Sequence, residues 1–323
     1  MTRIKGYCPD ALETCTNQCV AHNPPPVKTK YFAQLIALSA LWGASFSLIR
    51  IASPVLGPNV LAALRIGLAA LTLAVLMRYM RHQWPLQHWR ELAMLGALSV
   101  AFPFLLFAWA ALQLPAGYSA LLNSTAVVFG IFAAAWLKED TLTLRKLLGC
   151  VCGFAGVALI VGLGPVEPTP KVLLAALACI VASACYGIST PFMKRAITRM
   201  QPLEIAAGIH AISLVALLPA AVWSWPQAHF TPAALAAVAV LGVVTSGLAY
   251  WMHLRILVHV SPVAAMSPIF MIPVFGVTWG HLFLGEQLSS GIYLGGALVL
   301  LASGLVTGFN PWQKLLSAMA TKP

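Results

Sequence analysis

A single basic residue, Arg65, lies about six residues inside a long apolar stretch of the sequence. A charged side chain inside such a helix costs about 2.5–3.5 kcal/mol on membrane-insertion scales, and it is therefore a functional candidate by default. Its guanidinium could attract an anionic group such as a carboxylate. The alternative is structural: the side chain reaches along the helix to the outer interface, or it holds neighbouring helix ends through hydrogen bonds to their carbonyl groups.

Aromatic and polar side chains recur in the other apolar stretches. Polar groups inside a membrane must find partners or line water, and an aromatic wall with a few polar groups suits a ligand of amino-acid size. The candidates for a central binding cavity are Trp42, Ser45, Phe107, Trp109, Asn123, Thr125, Tyr186, Ser189, Tyr250 and Pro273. Ordinary helix packing is the alternative role for each of them.

Three histidines, His210, His253 and His281, also fall within apolar stretches. Because imidazole exchanges protons near neutral pH, they could relay protons, and His210 and His253 are further candidates for the binding cavity. Hydrogen-bonded packing is the alternative. No carboxylate lies deep in an apolar stretch, since the glutamates closest to these stretches lie at their ends, at Glu91, Glu139, Glu204 and Glu286. Facilitated diffusion or exchange is therefore at least as well indicated as proton coupling.

Four residues near the N-terminus could hold zinc, which binds thiolates and imidazole. They are Cys8, Cys15, Cys19 and His22, and their spacing matches no common zinc frame. The other cysteines lie in apolar stretches and indicate packing, so that we expect no disulfide framework, no metal and no cofactor. The sequence also lacks a Gly-x-Ser-x-Gly elbow, a His-Glu-x-x-His pair and a P-loop, which argues against an enzyme.

The composition predicts an integral membrane protein. Sixty per cent of the 323 residues are apolar, only 8% are charged, and the mean hydropathy is +0.87. Soluble domains have about 25% charged residues, so this chain could not cover a water-facing surface, whereas lipid solvates apolar side chains. The net charge of +11 is spread over small basic groups between apolar runs. This pattern is typical of cytoplasmic loops and argues against nucleic acid as a partner.

The sequence predicts an all-α protein with ten transmembrane helices. Each stretch has roughly twenty residues, the length that a helix needs to cross about 30 Å of hydrocarbon. The stretches are 31–52, 59–79, 90–112, 115–137, 143–163, 171–193, 202–224, 231–254, 260–284 and 289–308. Residues 1–30 and 309–323 are predicted to be cytoplasmic tails, because Lys and Arg concentrate in the loops of one side. The expected location is the cell membrane.

The chain resembles itself at a nearly constant offset of 144 to 147 positions. The matched features are Trp42-Gly43-Ala44-Ser45 with Tyr186-Gly187-Ile188-Ser189, Arg50 with Lys194, Arg65 with His210, and Glu139 with Glu286. The predicted halves, 31–163 and 171–308, each hold five helices, and because five is odd the second half must be inverted in the membrane. Inverted repeats are typical of secondary transporters, whose substrate site lies near the midplane between the halves.

These features together resemble the drug/metabolite transporter superfamily, and within it the EamA-type permeases. The resemblance rests on the Trp-Gly-x-Ser-Phe stretch at 42–46, on Arg65, and on the glutamates that end the fourth and ninth helices. It covers residues 31–308 and implies export or exchange of amino acids or related small metabolites. One departure concerns a proline often expected midway along the fourth helix, where this chain has Ala126, while its partner Pro273 is present.

The function expected from this reading is export or exchange of a small metabolite, first of all an amino acid, by alternating access. The main alternative is efflux of drugs or cations, and nucleotide-sugar transport is a third possibility. An intramembrane enzyme and a receptor or scaffold are further alternatives, which a substrate flux would exclude. The expected partners are the small-molecule substrate and membrane lipids. The pairs Gly149–Gly153 and Gly291–Gly295 allow close helix packing, and a homodimer is one possible use of them.

Overall fold

The computed structural model describes residues 27–161, 169–284 and 291–307. Within these ranges the chain is helical and contains no strand. The possible zinc ligands Cys8, Cys15, Cys19 and His22, and also Glu286, lie outside the described residues. Large apolar side chains are exposed along the helices, for example Leu71, Leu173 and Leu300. Such a surface suits lipid, and it agrees with a multi-pass membrane protein.

The described residues form fourteen α-helices, numbered in chain order, with two π segments and two short 3₁₀ turns between them. The α-helices are α1 Thr29–Leu56, α2 Pro58–Tyr79, α3 Trp89–Gly96, α4 Phe102–Ala110, α5 Ala116–Asn123, α6 Ala126–Trp136, α7 Leu144–Val161, α8 Pro170–Ala196, α9 Pro202–Ser224, α10 Pro232–Ala239, α11 Ala249–Leu257, α12 Pro262–Ala265, α13 Pro268–Leu284 and α14 Gly291–Thr307. The first π segment is Ala97–Ala101, the second is Val240–Leu248, and the 3₁₀ turns are Leu86–His88 and Trp225–Gln227.

Seven helical stretches within the described residues are long and apolar enough to cross a membrane. They are Thr29–Leu56, Pro58–Tyr79, Leu86–Ala110, Tyr118–Trp136, Pro170–Ala196, Pro202–Gln227 and Pro232–Leu257. The helices α7, α13 and α14, of 18, 17 and 17 residues, occupy the places of the predicted fifth, ninth and tenth spans. The helical segments thus follow the predicted order, while the crossing of all ten through the bilayer stays a prediction.

Proline opens many of these helices, which explains why X-Pro pairs mark the breaks in the sequence. Proline has no N–H and a helical φ, so it fits the first turn, where the N–H would lack an intrahelical partner. The helix-opening prolines are Pro58, Pro170, Pro202, Pro232 and Pro262. Thr169, Thr231 and Ser261 precede three of them and accept hydrogen bonds from the backbone N–H groups of the first turn.

The fourth span breaks between α5 and α6 without a proline. The hydroxyls of Ser124 and Thr125 donate to the carbonyls of Leu121 and Leu122, both at 2.6 Å. Such bonds compete with the helical backbone ladder and interrupt it. The ninth span also breaks, between α12 and α13, just before Pro268. Pro273, the expected partner of Ala126, lies inside the continuous helix α13.

The two halves pack against each other in exchanged pairs. Helix α1 packs on α13 and on the eighth span, chiefly through α10, while its counterpart α8 packs on α6 and on the third span, chiefly through α4. The second spans of the two halves, α2 and α9, pack on each other, and so do the last spans, α7 and α14. The π segments also recur, at 97–101 and 240–248. Each half thus repeats the irregularities of the other and meets it through equivalent surfaces.

The glycine of the repeated aromatic-Gly-x-Ser motif permits two of the close contacts between the halves. A Cβ at Gly43 would lie 2.8 Å from the Cβ of Phe275 on α13. A Cβ at Gly187 would lie 2.5 Å from the carbonyl oxygen of Ala126 on α6. Glycine is therefore required where α1 and α8 cross their partners, and this explains why the motif occurs in both halves.

The glycine pair on α7 packs within the chain. A Cβ at Gly149 would lie 2.8 Å from Val306, and one at Gly153 would lie 2.6 Å from the ring of Phe270. This glycine face is therefore covered by α14 and α13, so that it is not free to contact a second copy. A homodimer stays a prediction, and this glycine pair does not support it.

Candidate functional site

A cavity of about 120 Å³ lies between the two halves. Its walls come from α1, α2, α4, α8, α11, the breaks of the fourth and ninth spans and both π segments. The lining residues are Trp42, Ser45, Phe46, Ile49, Arg65, Ser99, Phe104, Phe107, Asn123, Tyr186, Ser189, Thr190, Met193, Thr245, Tyr250, His253, Ala265, Met266, Ile269 and Ile272.

Helices α1 and α8 present equivalent faces to this cavity. Each contributes four residues at positions i, i+3, i+4 and i+7, which lie on one face of a helix. The equivalent pairs, 144 positions apart, are Trp42 with Tyr186, Ser45 with Ser189, Phe46 with Thr190, and Ile49 with Met193. The cavity therefore lies where the two repeats face each other, as the repeat predicts for a substrate site.

Arg65 is buried in the wall of the cavity, with 7% of its surface exposed. Its Nε donates a 2.7 Å hydrogen bond to the hydroxyl of Ser246, and its guanidinium carbon lies 3.8 Å from the centroid of the Phe104 ring. Within the described residues no carboxylate lies in ion-pair distance of it. The structural alternative, in which the side chain reaches out to the interface, does not agree with this position.

The second π segment supplies two polar contacts at the cavity. The Thr245 carbonyl accepts a 3.1 Å hydrogen bond from the indole N–H of Trp42, and the Ser246 hydroxyl accepts the bond from Arg65. π segments inside α-helices are frequent at functional sites. Thr245 and Ser246 were not predicted from the sequence, although a Thr-Ser-Gly run inside an apolar helix is a signal that could have identified them.

Three polar atoms in the cavity wall have no hydrogen-bond partner among the described residues. They are Ser45 Oγ, Asn123 Oδ1 and His253 Nδ1. Buried polar atoms are nearly always paired in proteins, with protein groups or with water. These atoms can therefore bind water or a polar ligand, and an amide oxygen such as Asn123 Oδ1 can act only as an acceptor.

Aromatic rings form another part of the wall. The rings of Phe107 and Tyr186 are nearly parallel with centroids 6.1 Å apart, and Phe46 meets Phe107 edge-on at 5.6 Å. Trp42 lies against His253 at 5.2 Å. Such a wall offers apolar area and ring faces to the side chain of a ligand.

The structure brings nine of the thirteen predicted binding residues to the cavity: Trp42, Ser45, Arg65, Phe107, Asn123, Tyr186, Ser189, Tyr250 and His253. Trp109 does not line the cavity, although it packs against the apolar cluster that contains Phe107, and the Thr125 hydroxyl is engaged at the helix break. His210 is fully buried behind Tyr250, whose ring it meets at 5.1 Å, and it bonds the Ala206 carbonyl. The side chain of His281 lies outside the described residues.

Carboxylates lie away from the described cavity wall. Glu91, Glu139 and Glu204 lie at helix ends, as predicted, and pair with basic side chains there: Arg199 at 2.7 Å, Arg195 at 2.6 Å and His82 at 3.1 Å respectively. A buried ion pair that was not predicted joins Lys146, in the first turn of α7, to Asp140 in the segment between α6 and α7, and both side chains are 1% exposed. In the described part of the chain no three His, Cys, Asp or Glu side chains are placed to hold a metal ion.

Comparison with known proteins gives a consistent picture. The model of the EamA-like transporter family matches the chain twice, over residues 30–162 and 173–308. The chain is 25% identical over 293 residues to "Uncharacterized transporter YvbV" of Bacillus subtilis (strain 168), covering 89% of this chain and 94% of the relative. It is 24% identical over 267 residues to "Probable terminal-alkyne amino-acid exporter" of Streptantibioticus cattleyicolor, covering 82% and 89%. A crystal structure with 14% identity has a similar fold, with a TM-score of 0.72 over 92% of this chain and 100% of its own.

Proposed function

Because the chain belongs to the EamA-like transporter family of the drug/metabolite transporter superfamily, we propose that it exports or exchanges a small metabolite with a carboxylate, first of all an amino acid. The observation that carries this proposal is Arg65, a buried cation in the cavity wall without a carboxylate partner among the described residues. A buried charge is costly unless it is paired, so that a carboxylate ligand would supply the missing partner.

The other polar groups of the cavity support a ligand with a hydrogen-bond donor as well. Asn123 Oδ1 needs a donor, and a carboxylate has none to offer at neutral pH. The ammonium group of an amino acid carries three N–H donors beside its carboxylate. A relative described as an amino-acid exporter agrees with this choice, although that description applies to the relative.

Cavity size and charge support a metabolite over a cationic drug. The volume of about 120 Å³ is below the roughly 300–1,000 Å³ of sites that hold drug-sized ligands. A cation would meet the guanidinium of Arg65, with no carboxylate among the described lining residues to compensate for it. Efflux of cations or drugs through the same fold is therefore the second candidate and serves as a competing outcome of the test.

The proposed mechanism is alternating access by ten spans in two inverted halves. Support comes from the two matches of the family model, from the repeated breaks and π segments, and from the exchanged packing of the halves. Inverted repeats place a ligand site at their interface near the midplane, and the cavity between α1 and α8 is the candidate for this site. The distribution of Lys and Arg supports cytoplasmic termini in the cell membrane.

The test is counterflow of a panel of labelled amino acids into proteoliposomes loaded with the same unlabelled amino acid. Arg65→Gln is expected to reduce counterflow at least about tenfold, because a charge-assisted hydrogen bond contributes about 1.5–3 kcal/mol. Arg78→Gln is the matched control, since Arg78 is an exposed basic residue in the last turn of the same helix α2. Normal counterflow in a folded Arg65→Gln protein, or transport of amines but not of carboxylates, would contradict the proposal.

A further inference from the structure

Arg50 links the last part of α1 to the junction between the third and fourth spans. Its guanidinium Nη1 donates a 2.8 Å hydrogen bond to the carbonyl of Leu114, directly before Pro115. The junction follows the C-terminal end of α4, where helical carbonyls have no intrahelical partner and carry partial negative charge. A cationic donor from α1 is therefore a suitable ligand for this junction.

Lys194 makes the equivalent link in the second half. It lies in the last turn of α8, and its Nζ lies 2.6 Å from the carbonyl of Leu257, 3.0 Å from that of Val258 and 2.9 Å from that of Val260. These carbonyls belong to the end of α11 and to the junction between the eighth and ninth spans. Lys194 lies 144 positions after Arg50, the same offset that relates the cavity-lining faces of α1 and α8.

The two links lie at opposite ends of the molecule. The ring of Tyr31, near the start of α1, stacks on His259 in the junction held by Lys194, with centroids 4.7 Å apart. Arg50 lies 19 residues further along the same helix, or about 28 Å at 1.5 Å per residue. The cavity-lining residues of α1, from Trp42 to Ile49, lie between these two ends.

We propose that Arg50 and Lys194 are positioning residues, each of which holds one end of the cavity closed. Their hydrogen bonds to the junction carbonyls break alternately during transport. Each link joins two walls of the cavity: Arg50 joins α1 to the span that carries Phe107, and Lys194 joins α8 to the span that carries His253. Loss of one link frees its junction from α1 or α8, which opens the cavity at that end alone. The inference rests on the proposed transport function and extends it to gating.

Transport requires that only one end is open at a time. A link made of hydrogen bonds to backbone carbonyls suits this task, because it depends on one flexible side chain and can re-form without a matching acidic residue. Because a basic side chain binds backbone carbonyls at both equivalent positions, both ends open by loss of the same kind of hydrogen bond. This is expected of a carrier whose halves exchange roles.

The test measures access to the cavity from each face of the membrane. A Ser189→Cys reporter in the cavity wall is placed in a chain whose seven native cysteines are replaced by serine. A membrane-impermeant maleimide is added to intact cells or to inside-out vesicles. Arg50→Met is expected to raise labelling from one face roughly tenfold, and Lys194→Met from the opposite face, as expected for loss of hydrogen bonds from a charged donor.

The controls separate gating from simple destabilisation. Arg255→Met removes an exposed basic side chain from α11, near the junction that Lys194 binds, and is expected to change labelling from neither face. Arg50→Lys and Lys194→Arg keep a cationic donor and are expected to restore the low labelling of the parent chain. Equal increases from both faces, or no increase in either Met variant with folded protein, would overturn the proposal.

The experiments distinguish failure of the transport proposal from failure of the gating inference. Labelling needs no substrate, so one-sided opening in the two Met variants supports the gating inference whether or not any amino acid is carried. Absence of counterflow for every amino acid in the panel, together with increased labelling from one face in each Met variant, would reject only the substrate class. Amino-acid counterflow together with unchanged labelling would reject only the gating inference.

Discussion

At the scale of residues, Arg65 and Asn123 impose different requirements on a ligand. The guanidinium of Arg65 can only donate hydrogen bonds, and the unpaired Oδ1 of Asn123 can only accept them. A ligand that satisfies both must carry an acceptor and a donor close together. The carboxylate and ammonium groups on one carbon of an amino acid meet this requirement, whereas a simple carboxylic acid or a simple amine meets half of it.

Asn123→Leu is therefore expected to reduce discrimination between an amino acid and its deaminated analogue by about tenfold, because a lost hydrogen bond to a buried group costs about 1–3 kcal/mol. The measurement is competition of each compound against counterflow of the labelled amino acid. Thr125→Val is the control, since Thr125 bonds the Leu122 carbonyl and does not line the cavity. Equal loss of discrimination in both variants would show that the break itself, and not the amide oxygen, matters.

The sequence identified candidate residues for the cavity wall better than it identified which of their side chains point into the cavity. Phe107 and Trp109 are two positions apart, and on an α-helix such residues point to nearly opposite sides. Of the two, only Phe107 lines the cavity, although both belong to the same apolar cluster. Both sides of this helix are apolar, since one meets lipid or other helices and the other meets the cavity. Alternation of polar and apolar residues therefore gave no signal for the cavity side.

At the scale of elements, glycine in the repeated motif determines how closely α8 approaches α6. A Cβ at Gly187 would lie 2.5 Å from the Ala126 carbonyl and 2.7 Å from the Gly130 backbone nitrogen. Backbone atoms cannot rotate away as a side chain does, so that the two helices would have to separate. This separation would disturb Tyr186 and Ser189 on the cavity side of α8.

Gly187→Ala is expected to lower the free energy of unfolding by about 1–3 kcal/mol, as overpacking of a close contact does. Gly67→Ala is the matched control in another helix, because the nearest atoms to its new methyl group are side-chain carbons of Leu214 at 3.6 and 3.8 Å. There the substitution is expected to be neutral or to stabilise the helix by about 0.5–1 kcal/mol. Thermal unfolding in detergent measures both, and equal melting temperatures would contradict the close-packing argument.

Element boundaries were predictable where proline or charge marked them and not elsewhere. The proline-opened helices began within a few residues of their predicted positions. The break of the fourth span was missed because its cause is local hydrogen bonding by Ser124 and Thr125. The π segments were not predicted either, because an apolar stretch of membrane-spanning length has the same composition and nearly the same length with or without a π turn.

At the scale of the whole molecule, the halves are alike in backbone and unlike in charge. The face of α1 that lines the cavity is repeated by α8, and Arg50 is repeated by Lys194. Arg65 has as its counterpart His210, which is buried away from the cavity. A repeated backbone thus surrounds an asymmetric cavity. In the proposed mechanism the repeat allows opening on both sides, and the single cation orients the ligand.

The exchanged packing is compatible with a pseudo-two-fold axis between the halves that lies either in the membrane plane or along the membrane normal. The number of spans in each half distinguishes these two orientations of the axis. With five spans per half, equivalent loops must lie on opposite faces of the membrane. Trp84 and Phe230 are suitable probes, since they lie in equivalent loops 146 positions apart and are 43% and 42% exposed. In a chain without native cysteines, Trp84→Cys and Phe230→Cys are expected to react with an impermeant maleimide from opposite faces, Trp84→Cys from the cytoplasmic one. Labelling of both from the same face would require an even number of crossings between them, and α7 or another short helix would then not span the bilayer.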